Sequence, residues 1–255
     1  MAYLELENVS VDLPIYEMHG RSLKRRMGGI GRRGGITEDD TGVVVIRALD
    51  NINLQLREGD RVGLVGGNGA GKSTLLRVLA GIYPPTSGAL RCVGRSVPLL
   101  DIMTGMDDQS TGYQNIRLRG LLLGMTDAEI QQKTEEIAEF SSLDKYLNLP
   151  IRTYSSGMRI RLAFAISTAV DADILLLDEV VGVGDAAFRG KANARLLDLQ
   201  NRAKIVVIAS HANDVIRDVC NKALWLDGGR IRASGPVDEV IDAYMHVSDE
   251  GANAQ

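Results

Sequence analysis

Residues 62–74 read Val-Gly-Leu-Val-Gly-Gly-Asn-Gly-Ala-Gly-Lys-Ser-Thr, and this stretch restricts the fold more than any other part of the chain. An apolar strand, Val62 to Val65, runs into a cluster of glycines, and a helical pattern takes over from Ser73 to Leu79. Glycines let successive backbone N–H groups turn inward, and the helix that follows presents its positive dipole end to the same space. Such a turn holds phosphate oxygens. The spacing Gly66, Gly71, Lys72, Ser73, flanked by strand and helix, is that of a P-loop. Gly66, Asn68, Gly69, Ala70, Gly71 and Thr74 then belong to the ATP-binding turn. Lys72 would pair with the β- and γ-phosphates, and the Ser73 hydroxyl would ligate Mg²⁺. The fold implied is α/β with a mainly parallel core sheet.

A second motif fits the first. Ile174-Leu175-Leu176-Leu177 ends in Asp178-Glu179. A buried strand delivers such carboxylates to the C-terminal edge of a sheet, where α/β folds bind ligands. An acidic strand end alone reads as a solvated turn. Downstream of a P-loop, Asp178 reads as a Mg²⁺ partner acting through water and Glu179 as the group that orients or deprotonates the attacking water. A third motif, Tyr154-Ser155-Ser156-Gly157-Met158, precedes an apolar helix from Ile160 to Ala169. Ser155 suits an N-cap, and the same helix start suits a second phosphate.

The remaining pattern alternates strands and helices. Strands are expected at Leu4–Leu13, Ile52–Leu56, Arg61–Val65, Asp173–Asp178, Lys204–Ala209 and Ala223–Leu226. Helices are expected at Ala187–Asn201, Asn213–Cys220 and Pro236–His246, the last begun by its proline. From Gly112 to Val170 the spacing is helical throughout, which points to a lobe inserted into the α/β core. Pro14 to Gly42 departs from the rest. It carries Arg21, Lys24, Arg25, Arg26, Arg32 and Arg33, then five glycines between Gly28 and Gly35, and reads as an insertion, part basic helix and part loop.

Composition excludes several classes. A net charge of -4 and 4% aromatic residues speak against nucleic-acid binding. Cys92 and Cys220 match no metal spacing and suit reduced core thiols. No apolar run reaches the roughly 20 residues of a membrane helix, and Met1 to Val11 lacks a signal-peptide core, so any membrane role would come through a partner.

The order of these motifs resembles the ABC ATPase family. Its Leu-Ser-Gly-Gly-Gln signature is kept at Ser155 and Gly157, with Ser156 and Met158 replacing glycine and glutamine. Asp185 stands where the family has its D-loop and would touch an opposite subunit. His211 stands at the switch-histidine position and would be catalytic beside Glu179. The usual glutamine after the strand that follows the P-loop helix is Asp101, a carboxylate able to reach Mg²⁺ or its water but unable to donate as an amide does. The aromatic residue that commonly stacks on adenine is Arg47, whose guanidinium can stack instead.

The resemblance implies a P-loop NTPase with a two-lobed ABC-type ATPase domain: a RecA-like core sheet, an antiparallel β part and an inserted helical subdomain. Residues 1–247 would form one domain, with the core lobe at about 1–100 and 171–247, the helical lobe at about 101–170, and a flexible tail at 248–255. It implies two ATP molecules between two head-to-tail copies and a separate transmembrane permease. Pro98-Leu99-Leu100-Asp101, Thr111-Gly112-Tyr113-Gln114-Asn115-Ile116 and the Val180 that follows Glu179 resemble the polysaccharide-exporter branch. That branch implies export of a lipid-linked glycan such as O-antigen, with this subunit on the cytoplasmic face of the inner membrane and the glycan near the basic insertion. The alternatives are an ABC ATPase of another transporter class or a soluble ABC ATPase.

Overall fold

The computed structural model describes residues 1–15, 35–38, 44–178 and 186–253. Glu179, Asp185 and the basic residues Arg21, Lys24, Arg25 and Arg26 lie outside the described residues. The chain divides into two compact units.

The first unit comprises Met1–Gly94, the end of one strand from Leu176, and the chain from Lys204 onward. It holds two sheets. One is antiparallel in the order β2-β3-β1-β5, with β1 at Tyr3–Ile15, β2 at Gly35–Glu38, β3 at Val44–Arg57 and β5 at Ser87–Val93. The other is built on β4, Arg61–Val65, which runs parallel to β8, Ile205–Ala209, on one side and to β9, Lys222–Asp227, on the other. The hairpin partner β10, Arg230–Pro236, lies beyond β9, and the end of β7, Ile174–Asp178, lies beyond β8. Every residue of β8 is buried, as are the last four of β4 and the first four of β7. A strand covered on both faces reads as a continuous apolar run, and this is why these three are legible in the sequence.

Among the described residues, three helices complete the unit: α1 at Lys72–Leu79, α6 at Asn213–Val219 and α7 at Val237–Asn253. Helix α6 packs so closely on β4 that a Cβ built on Gly63 would lie 2.1 Å from Ile216 Cγ2. Trp225 on β9 meets Tyr244 on α7 edge to face, with ring centroids 5.8 Å apart.

The second unit comprises Arg95–Leu175 together with α5, Ala186–Arg202. It contains β6, Ser96–Leu99, and the helices α2 at Gly112–Leu122, α3 at Asp127–Ser141 and α4 at Ser156–Thr168. Helices α2 and α3 both begin with a capping box, Thr111 with Gln114 and Thr126 with Glu129. Arg95 hydrogen-bonds Glu129 at 3.0 Å, and this, with the Thr126 contacts, lowers the Glu129 carboxyl to about 2. A depressed carboxyl contributes stability above its ordinary pKa, and the contribution is lost as the pH falls towards 2. All three phenylalanines of the chain, Phe140, Phe164 and Phe188, meet in this unit with centroids 5.4 to 6.1 Å apart.

The expected elements are present where periodicity was strong. The differences are at half-exposed strands. β5 has no fully buried residue, and β10 alternates exposed with half-buried positions, so neither carries an apolar run. The short β2 falls within the basic insertion, where alternation is obscured, and the first half of β3 directly follows it. Gly35–Glu38, expected as loop, pairs with β3 through Ile36 opposite Ile46. Pro236 closes β10 instead of opening the last helix, which starts at Val237. That helix continues to Asn253, past the polar boundary at Val247, because extending a formed helix requires little of each added residue.

Gly63→Ala should destabilise the first unit by about 1–3 kcal/mol through overpacking against Ile216. Ile216→Ala should cost less in the Gly63→Ala background than in the native chain. Urea denaturation of the four proteins measures both effects; strict additivity would refute the contact.

Candidate functional site

The glycine turn after β4 is shaped by close backbone neighbours. Gly66 has φ +146°, and a Cβ there would lie 2.2 Å from the Leu226 carbonyl oxygen of β9. Gly71 has φ +107° and lies under β3, where a Cβ would come within 3.0 Å of the Ala48 carbonyl. A side chain at Gly66 would both clash and be strained, and one at Gly71 would be strained and tightly crowded, so both positions favour glycine. The β9–β10 turn supports the loop from behind. Gly229 N donates to Ala70 O at 3.0 Å, and Asp50 N on β3 donates to Gly229 O at 2.9 Å. Gly67, Asn68 and Gly69 are exposed, whereas Gly66 and Ala70 are buried.

Helix α1 starts directly from this turn. Its N-cap is Gly71, no side chain caps it, and its first turn contains no acid. Its leading N–H groups therefore face outward as donors, at the positive end of the helix. Lys72 folds back over the turn and donates from Nζ to Gly66 O at 2.6 Å and to Gly67 O at 3.1 Å. Ser73 and Thr74, half-buried, follow in the first turn. Backbone donors, a cation and a hydroxyl thus converge where an anion with several oxygens would sit.

Two further predicted residues end strands of the same sheet. Leu64 on β4 pairs with Ala209 on β8, and His211, exposed, follows that strand. Asp178, half-buried, is the last residue of β7, the strand beyond β8. Neighbouring strands lie about 4.8 Å apart, so Asp178 ends its strand roughly 10 Å from the line of β4. Arg47 sits on β3 opposite Asp12 of β1. Its Nε and Nη2 donate to the two Asp12 oxygens at 2.9 and 3.0 Å, and Asp50 lies 3.7 Å away. The guanidinium is therefore fixed in plane.

Ser155, Gly157 and Asp101 belong to the second unit. Ser155 is the N-cap of α4, and its Oγ accepts from Met158 N at 3.2 Å. Tyr154 anchors this start by donating its hydroxyl to Tyr146 O at 2.6 Å. Gly157, in the first turn, has no positive φ, and a Cβ there would meet only Ser155 Oγ, at 4.0 Å. Nothing within the described subunit requires glycine there. Asp101 caps a turn: Oδ1 accepts from Met103 N at 3.1 Å and Oδ2 from the Thr104 hydroxyl at 2.7 Å. The Thr104 bond is the main reason its carboxyl lies below the ordinary range.

Sequence reasoning missed the supporting residues Ala48, Leu226 and Gly229. The adjacent pair Gly228-Gly229 was a turn signal that could have drawn attention to them.

Residues 49–182 match the ABC transporter family. The O-antigen export system ATP-binding protein RfbE of Yersinia enterocolitica is 45% identical over 231 residues, which cover 91% of this chain and 97% of that protein. The O-antigen export system ATP-binding protein RfbB of Myxococcus xanthus is 44% identical over 200 residues, 78% of this chain but only 46% of that longer protein. Among solved structures, the dimeric post-hydrolysis state of the ATP-binding cassette MJ0796 bound to ADP and Pi superposes with a TM-score of 0.64 at 20% identity, over 92% of this chain and 98% of that one, a likeness of fold.

Replacing Gly157 by Ala should leave the isolated subunit as stable or up to about 1 kcal/mol more stable, because a helical glycine is unfavourable relative to alanine. Ser155→Ala should lower stability by about 1 kcal/mol through loss of the cap. Thermal unfolding of the purified chain distinguishes the two; a destabilising Gly157→Ala would mean that the subunit itself requires the glycine.

Proposed function

Because this chain belongs to the ABC transporter family, we propose that it is the ATP-hydrolysing subunit of an exporter that carries a lipid-linked polysaccharide of the O-antigen type across the inner membrane. The observation that carries the hydrolytic part is the uncapped start of α1, with its glycine turn held open from behind and Lys72 folded over it. The names of the similar proteins support the cargo, above all the one matched over nearly its whole length.

In this reading the N–H groups of Gly69 to Ser73 and the Lys72 ammonium hold the ATP phosphates and draw off their negative charge. The Ser73 hydroxyl and the Asp178 carboxylate are hard oxygen donors of the kind that suits Mg²⁺, with Asp101 as a further candidate. Bound there, Mg²⁺ would supply positive charge against the phosphate oxygens. Glu179 takes a proton from the attacking water or orients it, and His211 acts beside it. Arg47, fixed by Asp12, stacks its plane on adenine.

Ser155 and Gly157 serve the nucleotide of a second copy, and Asp185 touches that copy as well. The unconstrained glycine supports this assignment: a residue that the subunit does not need is explained by a ligand approaching from outside. Leu118, Leu121 and Leu122 stand at i, i+3 and i+4 on α2 and are 40, 42 and 65% exposed, a face suited to a short helix of a separate permease. Among the described residues no helix is long and apolar enough to cross a membrane, so the path through the bilayer is assigned to that permease and this subunit to its cytoplasmic side. Arg21, Lys24, Arg25 and Arg26 would attract the anionic lipid headgroup of the cargo, at about 1 kcal/mol for each basic residue near such a surface.

Glu179→Gln should lower kcat for ATP by about 10²–10⁴ while ATP still binds. Lys72→Ala should instead weaken ATP binding itself. Steady-state hydrolysis and nucleotide titration separate the two. Native turnover in Glu179→Gln would remove Glu179 from its role, and absence of hydrolysis by the native chain would remove the proposal.

A further inference from the structure

The segment from Asp101 to Thr111 joins β6 to α2 and has no regular structure of its own. It is held by two side chains one turn apart on α2. Asn115, fully buried, donates from Nδ2 to the carbonyls of Asp107, Ser110 and Thr111 at 3.0, 3.2 and 2.9 Å, and its Oδ1 accepts from Asp107 N at 2.8 Å. Both amide protons are used and the oxygen accepts once, so this half of the segment is fixed to the start of α2.

The other half is held by Arg119, four residues on and only 4% exposed. Nη1 donates to the Thr104 carbonyl. Nε and Nη2 both donate to Ser167 Oγ on α4, at 3.2 and 3.0 Å. Ser167, itself fully buried, gives its own proton to Ala163 O at 2.7 Å, which leaves its lone pairs for the guanidinium. Burial lowers the Arg119 guanidinium to about 10, and the Asp101 carboxylate, which binds the same turn through Thr104 Oγ1 and Met103 N, raises it in part. Burying a cation costs several kcal/mol, and an apolar side chain would pack between two helices without that cost. What the guanidinium adds is a three-way attachment of the Asp101 turn, α2 and α4.

We propose that Arg119 is a positioning residue for ATP hydrolysis: it fastens the Asp101–Thr104 turn to α4, so that this turn and the helix start at Ser155 move as one body. This rests on the reading of Asp101 and Ser155 as nucleotide-facing residues given above. It also supplies a reason for an aspartate at position 101. A carboxylate balances the buried Arg119, and the amide usual in the family would not. The glycine turn, Lys72 and Ser73, which would hold the phosphates, all belong to the first unit, so Arg119 acts on turnover more than on first binding.

The test uses the full chain with Arg119→Gln, Arg119→Lys, Asp101→Asn and the Asp101→Asn/Arg119→Gln double variant. Arg119→Gln should lower kcat by about 10- to 100-fold, as misplacement of a distant supporting group does, with ATP affinity of the isolated subunit within about twofold of native. Arg119→Lys, which keeps the charge and loses the fork, should recover part of that loss. The double variant should lose less than the product of the two single losses, because the partner of the missing charge is also gone. Native kcat in Arg119→Gln, or an additive double variant, overturns the proposal.

Amide hydrogen exchange without nucleotide reads the attachment independently of catalysis. In Arg119→Gln the Met103 and Thr104 amides should exchange faster, while the Asp107 amide, held by Asn115, should not change. If the native chain hydrolyses no ATP, the proposed function fails and the exchange result still decides whether Arg119 holds the turn. Should Arg119→Gln not fold, Ser167→Ala removes the α4 acceptor alone and should shift exchange and kcat in the same directions; an unchanged kcat there refutes the link to α4.

Discussion

Helix α1 begins without a side-chain cap, and the first unit is organised around the hydrogen-bonding capacity this leaves unmet. Most helices satisfy their leading N–H groups with a neighbouring serine, threonine or aspartate. Here the cap is Gly71 in a left-handed conformation, and the turn before it is pressed between Ala48 of β3 and Leu226 of β9. The antiparallel sheet and the β9–β10 hairpin therefore serve the same purpose as the parallel strands. They hold a glycine turn in a shape that suits an anion, and Lys72 occupies the turn's own carbonyls in the meantime. Nucleotide binding then requires little rearrangement of backbone.

The second unit uses a different material. Its core is apolar at the three phenylalanines, but its loops are fixed by buried polar side chains, Asn115 and Arg119 on α2 and Ser167 on α4. Directional bonds of this kind specify one arrangement of helices and loop more sharply than apolar packing, which tolerates sliding. Under the proposed function, a lobe that carries Ser155 to a nucleotide on another copy would benefit from moving without internal slack. The exposed leucines of α2 lie on the same helix as Asn115 and Arg119, so a partner pressing on that face would act on an element already tied to α4.

Much of the candidate site was legible in the sequence because its parts are local. The P-loop is one turn with its flanking strand and helix, and Asp178 ends a short apolar run of the kind a buried strand presents. Ser155 was legible both as a cap and as a signature residue, and the structure shows the cap directly. What escaped was non-local. Ala48 and Gly229 matter because strands distant in sequence bring them beneath Gly71, and no local pattern announces that. The half-exposed strands β5 and β10 escaped because alternation weakens when neither face is fully covered. Arg119 carries no local signal in the sequence, and only the structure reveals its burial and its contacts with Thr104 and Ser167.

Under the proposed function, one subunit presents a phosphate site that only a second subunit completes. Light scattering on the Glu179→Gln chain, with and without ATP, measures that completion. The expected result is a mass near 27.6 kDa without nucleotide and twice that with ATP, the doubling abolished by Ser155→Arg although ATP still binds. A mass that stays at the single-chain value with ATP bound, or a Ser155→Arg protein that doubles as readily, would contradict the head-to-tail arrangement.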